Sequence, residues 1–454
     1  MISIAARLAL PAILGLCAAS AAAQANIAAL RDAALQDTLA YDLTEGLSTE
    51  IGPRLAGTEA EARARDWAVE RLNALGFDDV RVETFDMPVW VRGEERAEIV
   101  APFPQPLTLT ALGNSAATPA EGLEAEIVMF ESVAALEAAP DAAVAGKIVY
   151  IGHAMRATQD GSHYGQFGAP RRQGPSVAAA KGAAAIVIRS IGTDSARSPH
   201  TGVQRFADGV TPIPAAALAN PDADQLERIA ARGQPVRLNL VLTPRQTGTG
   251  TSGNVIAEVP GRDPNAGMIL VACHLDSWDL GTGAVDDAAG CGIVTAAAKR
   301  VMDAGTPRRP IRIVWFGAEE VGLFGGFHYA ETHADERHAL VAESDFGAGT
   351  IWRYDSRLPA AAAPLVSRTA TALAPLGIAL GRTDRASGSD ITPLVNAGNP
   401  VVQLQQDGTN YFDWHHTPDD TLDKVDAAEV QQNVAAWTVM LSLAANADED
   451  LLAE

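Results

Sequence analysis

The sequence predicts an α/β fold in which helices cover both faces of a largely parallel sheet. Beyond residue 247, strand-like segments such as MILVAC, IRIVWFGA and ALVAESD alternate with helical segments, one of them predicted from about Ala288 to Met302. The strand-like segments are apolar at almost every position, which is typical of strands covered on both faces. A closing helix is predicted as well, because apolar residues recur there at helical spacing. These residues are Val430, Val434, Trp437 and Leu441.

Residues 1–25 are predicted to be a cleaved signal peptide. Arg7 is their one charged side chain, an apolar run extends from Leu8 to about Ala19, and small residues lead to Ala25. The run is too short to span a bilayer comfortably, so no membrane span is expected. The mature protein is therefore expected to be secreted or periplasmic.

The rest of the chain is predicted to form a main domain and an inserted module. Residues 26–118 and 248–454 are assigned to the main domain, and residues 119–247, with short strands and alanine-rich helical segments, to the module. TPRQTGTGTSGN, residues 243–254, is typical of a linker. The histidines of the module, His153, His163 and His200, have no carboxylates at ligand-like spacing. We therefore interpret the module as an accessory unit that caps or shapes a site.

The charge of the chain argues against polyanionic partners. Its 34 basic and 56 acidic residues give a formal net charge of -22 at pH 7. A protein of this charge would be repelled by phosphate backbones and by anionic membrane surfaces. Nucleic-acid binding is excluded on this ground.

Two cysteines remain after removal of the signal peptide, Cys273 and Cys291. They lie within and just after the stretch VACHLDSWDLGTGAVDDAAG, which gathers one histidine and four aspartates. Two buried thiols and one disulfide are both compatible with this pair in an exported protein.

Polar side chains follow three predicted strands at the carboxyl end of each strand. His274 and Asp276 come after MILVAC. Glu319 and Glu320 come after IRIVWFGA, and Asp345 comes after ALVAES. Open α/β sheets bind ligands at this edge, so we expect these side chains to meet there. One histidine among several carboxylates is typical of a divalent metal site, because cations offset the repulsion between carboxylates.

The number of carboxylates favours two metal ions over one. A single zinc ion would leave roughly four or five carboxylates poorly compensated, whereas two zinc ions balance about three ligating carboxylates and a hydroxide. A two-metal site also needs a second imidazole, which the segment YFDWHHTPDDT offers before the closing helix. On the residues alone, either His415 or His416 can serve.

Four ordered motifs carry a resemblance to a known family: HLDSWDLGTGAVDD, WFGAEEVG, ESDFGAG and HHTPDDT. In this order they resemble the co-catalytic di-zinc exopeptidases, which include bacterial leucyl aminopeptidases and membrane glutamate carboxypeptidase. The segment IRSIGTDSARSPHTGVQRFADGV is similar to the carboxypeptidase Q branch of that family. The resemblance extends from about residue 40 to the C terminus.

The resemblance implies a complete set of metal ligands. His274 and Asp345 match the terminal ligands of one zinc ion, and Glu320 and His416 match those of the other. Asp286 matches the ligand that bridges the two ions. Glu319 matches the general base, which would take a proton from the metal-bound water.

Two neighbours of these ligands have predicted supporting roles. Asp276 lies two residues past His274, so its carboxylate is expected to accept the second ring N–H and fix the tautomer. For Asp287, which directly follows the bridging ligand, the resemblance implies a cis peptide bond between Asp286 and Asp287.

The resemblance also implies the architecture and the assembly. It implies the three-layer zinc-peptidase fold, with a mostly parallel mixed central sheet flanked by helices, and identifies the inserted module as a β-rich protease-associated domain. It further implies a homodimer that acts on short peptides with free ends. A carboxypeptidase or dipeptidase is expected, and an aminopeptidase of the same family is the alternative.

Two other functions stay open. A glutaminyl cyclase with this fold would use one zinc ion, and a non-catalytic receptor-like protein would lack ligands or the base. All five ligands and the base are present, which favours the peptidase. The roles of His200, Asp279 and Asp390 are left open.

Overall fold

The computed structural model describes residues 26–453, so the predicted signal peptide lies outside the described residues. Within this range, sixteen strands form two sheets of eight strands each, and no helix is long and apolar enough to cross a membrane. The strands are β1 (Asp78–Val91), β2 (Glu95–Ala101), β3 (Gln105–Leu107), β4 (Leu109–Ala111), β5 (Leu123–Phe130), β6 (Ile148–Ile151), β7 (Ala185–Arg189), β8 (Ala215–Leu218), β9 (Arg237–Leu242), β10 (Arg245–Val259), β11 (Met268–His274), β12 (Ile311–Phe316), β13 (His338–Glu343), β14 (Ile351–Arg357), β15 (Ala379–Leu380) and β16 (Val401–Gln406). The α-helices are α1 (26–34), α2 (Leu39–Gly46), α3 (Glu59–Ala74), α4 (Val133–Ala138), α5 (Asp141–Val144), α6 (Ser162–Phe167), α7 (Ala169–Arg172), α8 (Gly174–Ala180), α9 (Asn220–Ala230), α10 (Ala289–Ala304), α11 (Phe324–Thr332), α12 (Ala363–Leu373), α13 (Thr392–Asn396), α14 (Tyr411–Trp414) and α15 (Ala427–Asn446).

The first sheet has the strand order β1-β10-β12-β11-β13-β16-β14-β15. Its central strands β12, β11, β13 and β16 pair in parallel. Antiparallel pairs lie towards both edges, between β1, β10 and β12 on one side and between β16 and β14 on the other. The sheet is therefore mixed with a parallel centre, as the sequence predicted.

Strand β12 shows why the central strands are apolar at nearly every position. Ile313 and Trp315 pack into the core on one face of the sheet, and Val314 and Phe316 pack on the other, so every residue of the strand is buried. Helices α2, α10 and α15 cover the first face, and α11 and α13 cover the second. The predicted layering, with helices on both faces of an α/β sheet, is confirmed.

Both helices predicted in this region are present. The segment predicted from about Ala288 to Met302 forms α10, and the segment with apolar residues at helical spacing forms α15. Residues 284–288 form a single wider turn that leads directly into α10. This turn carries two aspartates of the predicted metal site.

The second sheet has the strand order β3-β2-β9-β5-β6-β7-β8-β4 and spans residues 95 to 242. Strands β5 to β8 pair in parallel, and helices α4 to α8 lie between them along the chain. The region is thus itself α/β, although the sequence suggested a β-rich module. Strands β2, β3 and β4 also belong to this sheet, because β2 pairs with β9, β3 pairs with β2, and β4 pairs with β8. The chain thus passes from the first sheet to the second between Val91 and Glu95.

Two pairs of strands connect the sheets. The β1–β10 ladder of the first sheet ends where Val91 lies opposite Arg245, and the β2–β9 ladder of the second begins where Glu95 lies opposite Leu242. The predicted linker of residues 243–254 is wrong, because most of it forms the first part of β10. Its Thr and Gly residues pair along β1 instead of forming a free connection.

Candidate metal centre

Three adjacent strands of the first sheet lead to the predicted ligands. Strand β11 ends at His274 itself, β12 leads to Glu319 and Glu320, and β13 leads to Asp345. Strand β11 lies between β12 and β13 and pairs in parallel with both. Because parallel strands end at the same edge of a sheet, these side chains meet there.

Two pairs of side chains approach the two carboxylate oxygens of Asp286. His274 Nε2 lies 2.9 Å from Asp286 Oδ1 and 3.4 Å from Asp345 Oδ1. His416 Nε2 lies 3.5 Å from Asp286 Oδ2 and 2.8 Å from Glu320 Oε2. The structure therefore brings the five sequence-predicted ligands together, with Asp286 adjoining both pairs.

One oxygen of this cluster is left without a partner in the protein. Asp286 Oδ2 is buried and accepts no hydrogen bond within residues 26–453. The Nε2 atoms of His415 and His416 each lie 3.5 Å from it. A buried carboxylate oxygen is normally hydrogen-bonded or bound to a cation. Imidazole and carboxylate are ligand types that zinc accepts, so the residues present fit a zinc centre.

His416, rather than His415, lies against Glu320. The Nδ1 atom of His416 faces the carbonyl oxygen of Thr201 at 3.3 Å, which leaves Nε2 directed at Glu320. The His415 ring stacks on His416 with the ring centroids 3.4 Å apart. Burial lowers the pKa of both imidazoles well below the usual value, so both are neutral, which is the form that binds metal.

The Asp276 carboxylate does not contact His274 in the predicted way. His274 Nδ1 lies 2.9 Å from the backbone carbonyl oxygen of Asp276, whereas the Asp276 Oδ1 atom is 3.9 Å away. The carboxylate instead accepts hydrogen bonds from the backbone N–H groups of Glu319 and Glu320, at 3.0 and 3.3 Å. Asp276 therefore orients the imidazole through its main chain and orients the glutamate pair through its side chain.

Asp286 and Asp287 are joined by a cis peptide bond, as the resemblance implied. The Asp287 side chain points back to the main chain, where it accepts hydrogen bonds from the N–H groups of His274 and Gly290, both at 3.1 Å. Asp286 is thus the aspartate of the pair that faces the other predicted ligands.

Cys273 and Cys291 form a disulfide, which decides between the two alternatives that the sequence left open. Their Cα atoms are 5.0 Å apart. The bond links β11 to the first turn of α10, so His274 and Asp286 both lie in the loop that it closes.

Glu319 and four of the five predicted ligands line a cleft of about 260 Å³. Phe346, Tyr411 and Phe412 add aromatic surface to its wall. Tyr164 and Arg171, from the region of the second sheet, line the same cleft. The cleft is therefore built by both regions, although the predicted ligands come from the first alone.

The carboxyl groups of the cleft differ in their electrostatics. Burial, together with the charge of Asp345, raises the pKa of Glu319 well above its usual value. Burial and the charge of Asp286 do the same to the pKa of Glu320. For Asp286, burial is outweighed by the hydrogen bond with His274, so its pKa is lowered. Both glutamates therefore ionise less readily than glutamates in water.

Comparisons with known proteins decide the family. The profile described as Peptidase family M28 matches residues 254–441. Human carboxypeptidase Q is 32% identical over 414 residues, which are 90% of this chain and 86% of that protein. The chain belongs to peptidase family M28. Members of this family are co-catalytic zinc exopeptidases, so the chain is an M28 metallo-exopeptidase.

Other known proteins are similar to this chain over most of its length. The structure of a peptidase M28 precursor from Shewanella amazonensis SB2B has a TM-score of 0.92 and 46% identity, covering 94% of this chain and 98% of that chain. BSAP, a zinc aminopeptidase from Bacillus subtilis, has a TM-score of 0.66 and 22% identity, covering 92% and 98%. Aminopeptidase YwaD from Bacillus subtilis is 26% identical over 405 residues, covering 87% and 81%. The mixed α/β fold, with two large sheets flanked by helices, is consistent with the M28 peptidase fold.

Arg54 is a residue of this M28 site that sequence reasoning missed. Its fully buried guanidinium donates hydrogen bonds to the carbonyl oxygens of Leu275, Thr282 and Gly283, at 2.5, 2.6 and 2.8 Å. These carbonyls belong to the loop between His274 and the cis peptide. No local signal marks Arg54, because its partners lie more than two hundred residues away in sequence.

Asp420 was also missed, although it lies inside the motif HHTPDDT that pointed to the M28 family. Its carboxylate accepts hydrogen bonds from the N–H groups of Val285 and Asp286, at 2.7 and 3.3 Å. Burial and the charge of Asp286 raise the pKa of Asp420 to about 7. Besides the predicted ligand His416, the motif therefore supplies a carboxylate that holds the loop carrying Asp286.

A pair of buried carboxyl groups, Glu343 and Asp390, lies behind Asp345. Glu343 accepts hydrogen bonds from the N–H groups of Asp390 and Ile391, at 3.2 and 3.4 Å. Burial raises the pKa of Glu343 to about 8, and burial with the charge of Glu343 raises that of Asp390. Sequence reasoning left Asp390 open and did not consider Glu343, the last residue of β13, which lies two positions before Asp345.

His200 and Asp279, whose roles the sequence left open, join the two regions of the M28 chain. His200 Nδ1 lies 2.7 Å from the carbonyl oxygen of His415, and its Nε2 lies 2.7 Å from Asp194 Oδ2. Asp279 forms an ion pair with Arg92 at 2.9 Å. Both residues therefore hold the second region against the loops that carry the predicted ligands.

Proposed function

We propose that this M28 chain is an exported di-zinc exopeptidase of the carboxypeptidase Q type, which cleaves dipeptides or removes a terminal residue from short peptides. The observation that carries the proposal is the position of Asp286. Each of its carboxylate oxygens lies beside a separate pair of one histidine and one carboxylate. A shared carboxylate between two such pairs is what a two-metal site requires.

We assign His274 and Asp345 to one zinc ion, Glu320 and His416 to the other, and Asp286 to both. These side chains lie close enough to contact one another directly, so cations or protons are needed among them. Zinc ions bound there would polarise the scissile carbonyl and lower the pKa of the attacking water.

Glu319 is proposed as the general base and acid. It lines the cleft beside Glu320 and Asp345, and it belongs to no group of ligating atoms within residues 26–453. Its main chain is fixed by the hydrogen bond to Asp276. The free carboxylate takes a proton from the attacking water and returns it to the leaving amine. Burial, which raises the pKa of Glu319, helps it to hold this proton between the two steps.

The carboxypeptidase assignment is supported by likeness to human carboxypeptidase Q over 90% of this chain. The competing assignment, an aminopeptidase, is supported by the weaker likeness to YwaD. The predicted zinc ligands serve both activities, so the residues that meet the free end of the substrate decide between them.

A panel of dipeptides with free or blocked ends tests this proposal. Free dipeptides should be hydrolysed, activity should be lost with a chelator and restored by zinc, and the purified protein should hold about two zinc ions per chain. A blocked C terminus should reduce hydrolysis more than a blocked N terminus. The reverse order would identify an aminopeptidase.

Two outcomes would replace the proposal with another function. Full activity with a single tightly bound zinc ion would favour a glutaminyl cyclase, which direct assay on peptides with an N-terminal glutamine would check. Absence of zinc, with no response of stability or activity to a chelator, would favour a receptor-like protein.

The domain organisation, export and assembly are also part of the proposal. We assign residues 1–25 to a signal peptide, residues 26–118 and 248–454 to the peptidase domain, and residues 119–247 to an inserted protease-associated domain. The strands β5 to β9 of the second sheet lie in the inserted segment. N-terminal sequencing of the exported protein should begin after Ala25, and light scattering should give twice the mass of the mature chain, as expected for a homodimer.

A further inference from the structure

Arg171 is a buried guanidinium in the wall of the cleft. It is 5% exposed and lies in α7, in the region of the second sheet. It lines the same cleft as Glu319, Glu320 and His416, and it is the one arginine or lysine among the described residues that do so. A positive side chain thus faces the proposed zinc site from the opposite region of the fold.

The protein leaves most of the donors of Arg171 unused. A guanidinium carries five N–H donors. Nη1 donates to the carbonyl oxygen of Thr201 at 3.3 Å, and Nη2 donates to the hydroxyl of Tyr164. Nε is buried and has no acceptor within residues 26–453. His416 Nδ1 lies 3.4 Å from Nη1 but itself faces the carbonyl oxygen of Thr201, so three of the five donors have no acceptor among the described residues.

The charge of Arg171 is also uncompensated. Arg312, another buried arginine, forms ion pairs with Glu258 and Glu336 at 2.8 and 2.6 Å. No carboxylate of the described residues lies within 4.0 Å of the Arg171 guanidinium, whose partners are uncharged. A buried cation without a counter-charge is destabilising. An anionic ligand in the cleft would remove this cost.

Arg171 lies beside the Glu320 and His416 pair. Its Nη1 atom is 3.4 Å from His416 Nδ1, and both atoms face the carbonyl oxygen of Thr201. In a dipeptide the carboxylate lies one residue, about 3.5 Å of chain, beyond the scissile bond. A dipeptide bound at the zinc site can therefore place its carboxylate close to Arg171.

We propose that Arg171 binds the free α-carboxylate of the substrate and makes this enzyme selective for peptides with an unblocked C terminus. The inference rests on the proposed exopeptidase function and identifies the side chain that binds the free C terminus of the substrate. A guanidinium and a carboxylate fit each other through two parallel charge-assisted hydrogen bonds. The substrate supplies the counter-charge that no described residue provides.

The neighbours of Arg171 hold its side chain in place before substrate binds. Its guanidinium lies 5.2 Å from the ring centroid of Tyr164, whose hydroxyl accepts one of its hydrogen bonds. The Tyr164 ring stacks on Phe412 with the centroids 4.7 Å apart. Because Arg171 is already ordered, little side-chain entropy is lost when the carboxylate binds.

Kinetics on matched dipeptides test the role of Arg171. The substrates are one dipeptide with both ends free, its C-terminal amide and its N-acetyl derivative. The wild type should prefer the free carboxylate to the amide by about 10- to 100-fold in kcat/KM, the range expected for charge-assisted hydrogen bonds. Arg171→Met should lose this preference, mainly through KM, and should keep its zinc content and its kcat on the amide. Arg171→Lys, which keeps the charge but not the planar fork, should lose part of the preference.

Arg172→Met is the matched control, because Arg172 is the next residue of the same helix, is exposed and donates to the carbonyl oxygen of Gly165 at 3.0 Å. It should keep the preference of the wild type. An unchanged preference in Arg171→Met would overturn the proposal. So would an equal loss of kcat on both substrates together with loss of zinc, since that result would make Arg171 a positioning residue for His416.

If Arg171→Met does not fold, the free-to-amide ratio of Arg171→Lys decides by the same criterion, and a ratio equal to that of the wild type would overturn the proposal. Absence of any dipeptide hydrolysis by the wild type would instead contradict the proposed function itself. The two failures are thereby distinguished.

Discussion

The two eight-stranded sheets share a parallel centre but differ in the residues that follow their strands. In the first sheet, three neighbouring strands lead to His274, to the Glu319–Glu320 pair and to Asp345. In the second sheet, the parallel strands β5, β6, β7 and β8 are followed, in this order, by Glu131, Gly152, Ser190 and Ala219. Among the described residues, no group of metal-ligating atoms includes a residue of the second region. Parallel topology alone therefore does not make a site; the residues at the strand ends do.

The second region contributes to the cleft by another route. Its connections beyond β6 and β7 bring Tyr164, Arg171 and Thr201 to the wall and to the back of His416. We therefore expect the first region to determine the chemistry and the second to determine how substrate is held. Substitutions in the two regions should have separable effects.

The largest effect is expected for Glu319→Gln in the first region. Loss of the proposed general base should lower kcat by about 10²- to 10⁴-fold, because the amide cannot take up a proton. Zinc content, measured by elemental analysis, should stay at the wild-type level. Glu331→Gln, an exposed position on α11, is the control and should leave kcat unchanged. Near-normal turnover by the Glu319 variant would contradict its assignment.

A core substitution in the second region should change stability without changing the chemistry. Ile148 is fully buried in β6, so Ile148→Ala should lower the free energy of unfolding by about 2 to 5 kcal/mol. Denaturant unfolding measures this change, and kcat per folded molecule should be retained. Ile313→Ala, equally buried in β12 of the first sheet, should lower both stability and kcat. Loss of zinc from the Ile148 variant would show that the two regions are not separable.

Acid should destabilise the first region at the edge opposite the metal centre. Burial lowers the pKa of His338, at the start of β13, from 6.5 to about 4. The unfolded chain therefore binds this proton more readily than the folded chain. Stability that is fully present above pH 6.5 should fall by about 3 kcal/mol by pH 4, because the folded state takes up the proton only near the lowered pKa.

Unfolding measured between pH 4 and 6.5 checks this expectation. His338→Gln lacks the titrating group, so its stability should depend less steeply on pH over that range. An equally steep dependence in the variant would assign the acid sensitivity to other groups, such as the carboxylates of the metal centre.

The smallest effect is expected for Asp420→Asn, which alters a support of the ligand loop rather than a ligand. Asp420 holds the N–H groups of Val285 and Asp286, and residues in such positions typically affect metal affinity or activity by about 10- to 100-fold. Zinc titration against a competing chelator measures the change. Asp423→Asn, an exposed carboxylate in the same segment, should bind zinc as the wild type does.

The features that the sequence predicted depend on short-range patterns. The strand-like runs before His274, Glu319 and Asp345 are continuous in sequence, so both their burial and their common edge follow from composition and alternation with helices. The sequence distinguished residues 119–247 by a change in composition, whereas strands β2 to β4, which join the same sheet, lie before residue 119. Strands β2 to β4 are short, and only their pairing with β8 and β9 shows where they belong.

What the sequence could not provide are contacts between distant segments and the choice between main-chain and side-chain groups. The Asp276 residue was correctly placed near His274, yet its carbonyl rather than its carboxylate meets the imidazole. Arg54 and Arg171 reach the site from segments remote from the ligands, and nothing in GPRLAG or APRRQG distinguishes them from surface arginines. The Thr and Gly residues of 243–254 suggested a linker because their composition does not reveal that they pair with β1.

The connection between the sheets has a consequence for the order of folding. Strand β1 is synthesised long before its partner β10, with roughly 150 residues between the paired Val91 and Arg245 (245 minus 91). If the second sheet forms first, its β2–β9 ladder brings Glu95 beside Leu242 and so places β1 next to β10. Folding of the second sheet would then close this long loop, with its entropy cost, before the first sheet assembles. The second region, which lines the cleft in the folded protein, is therefore also expected to hold β1 and β10 together while the first sheet folds.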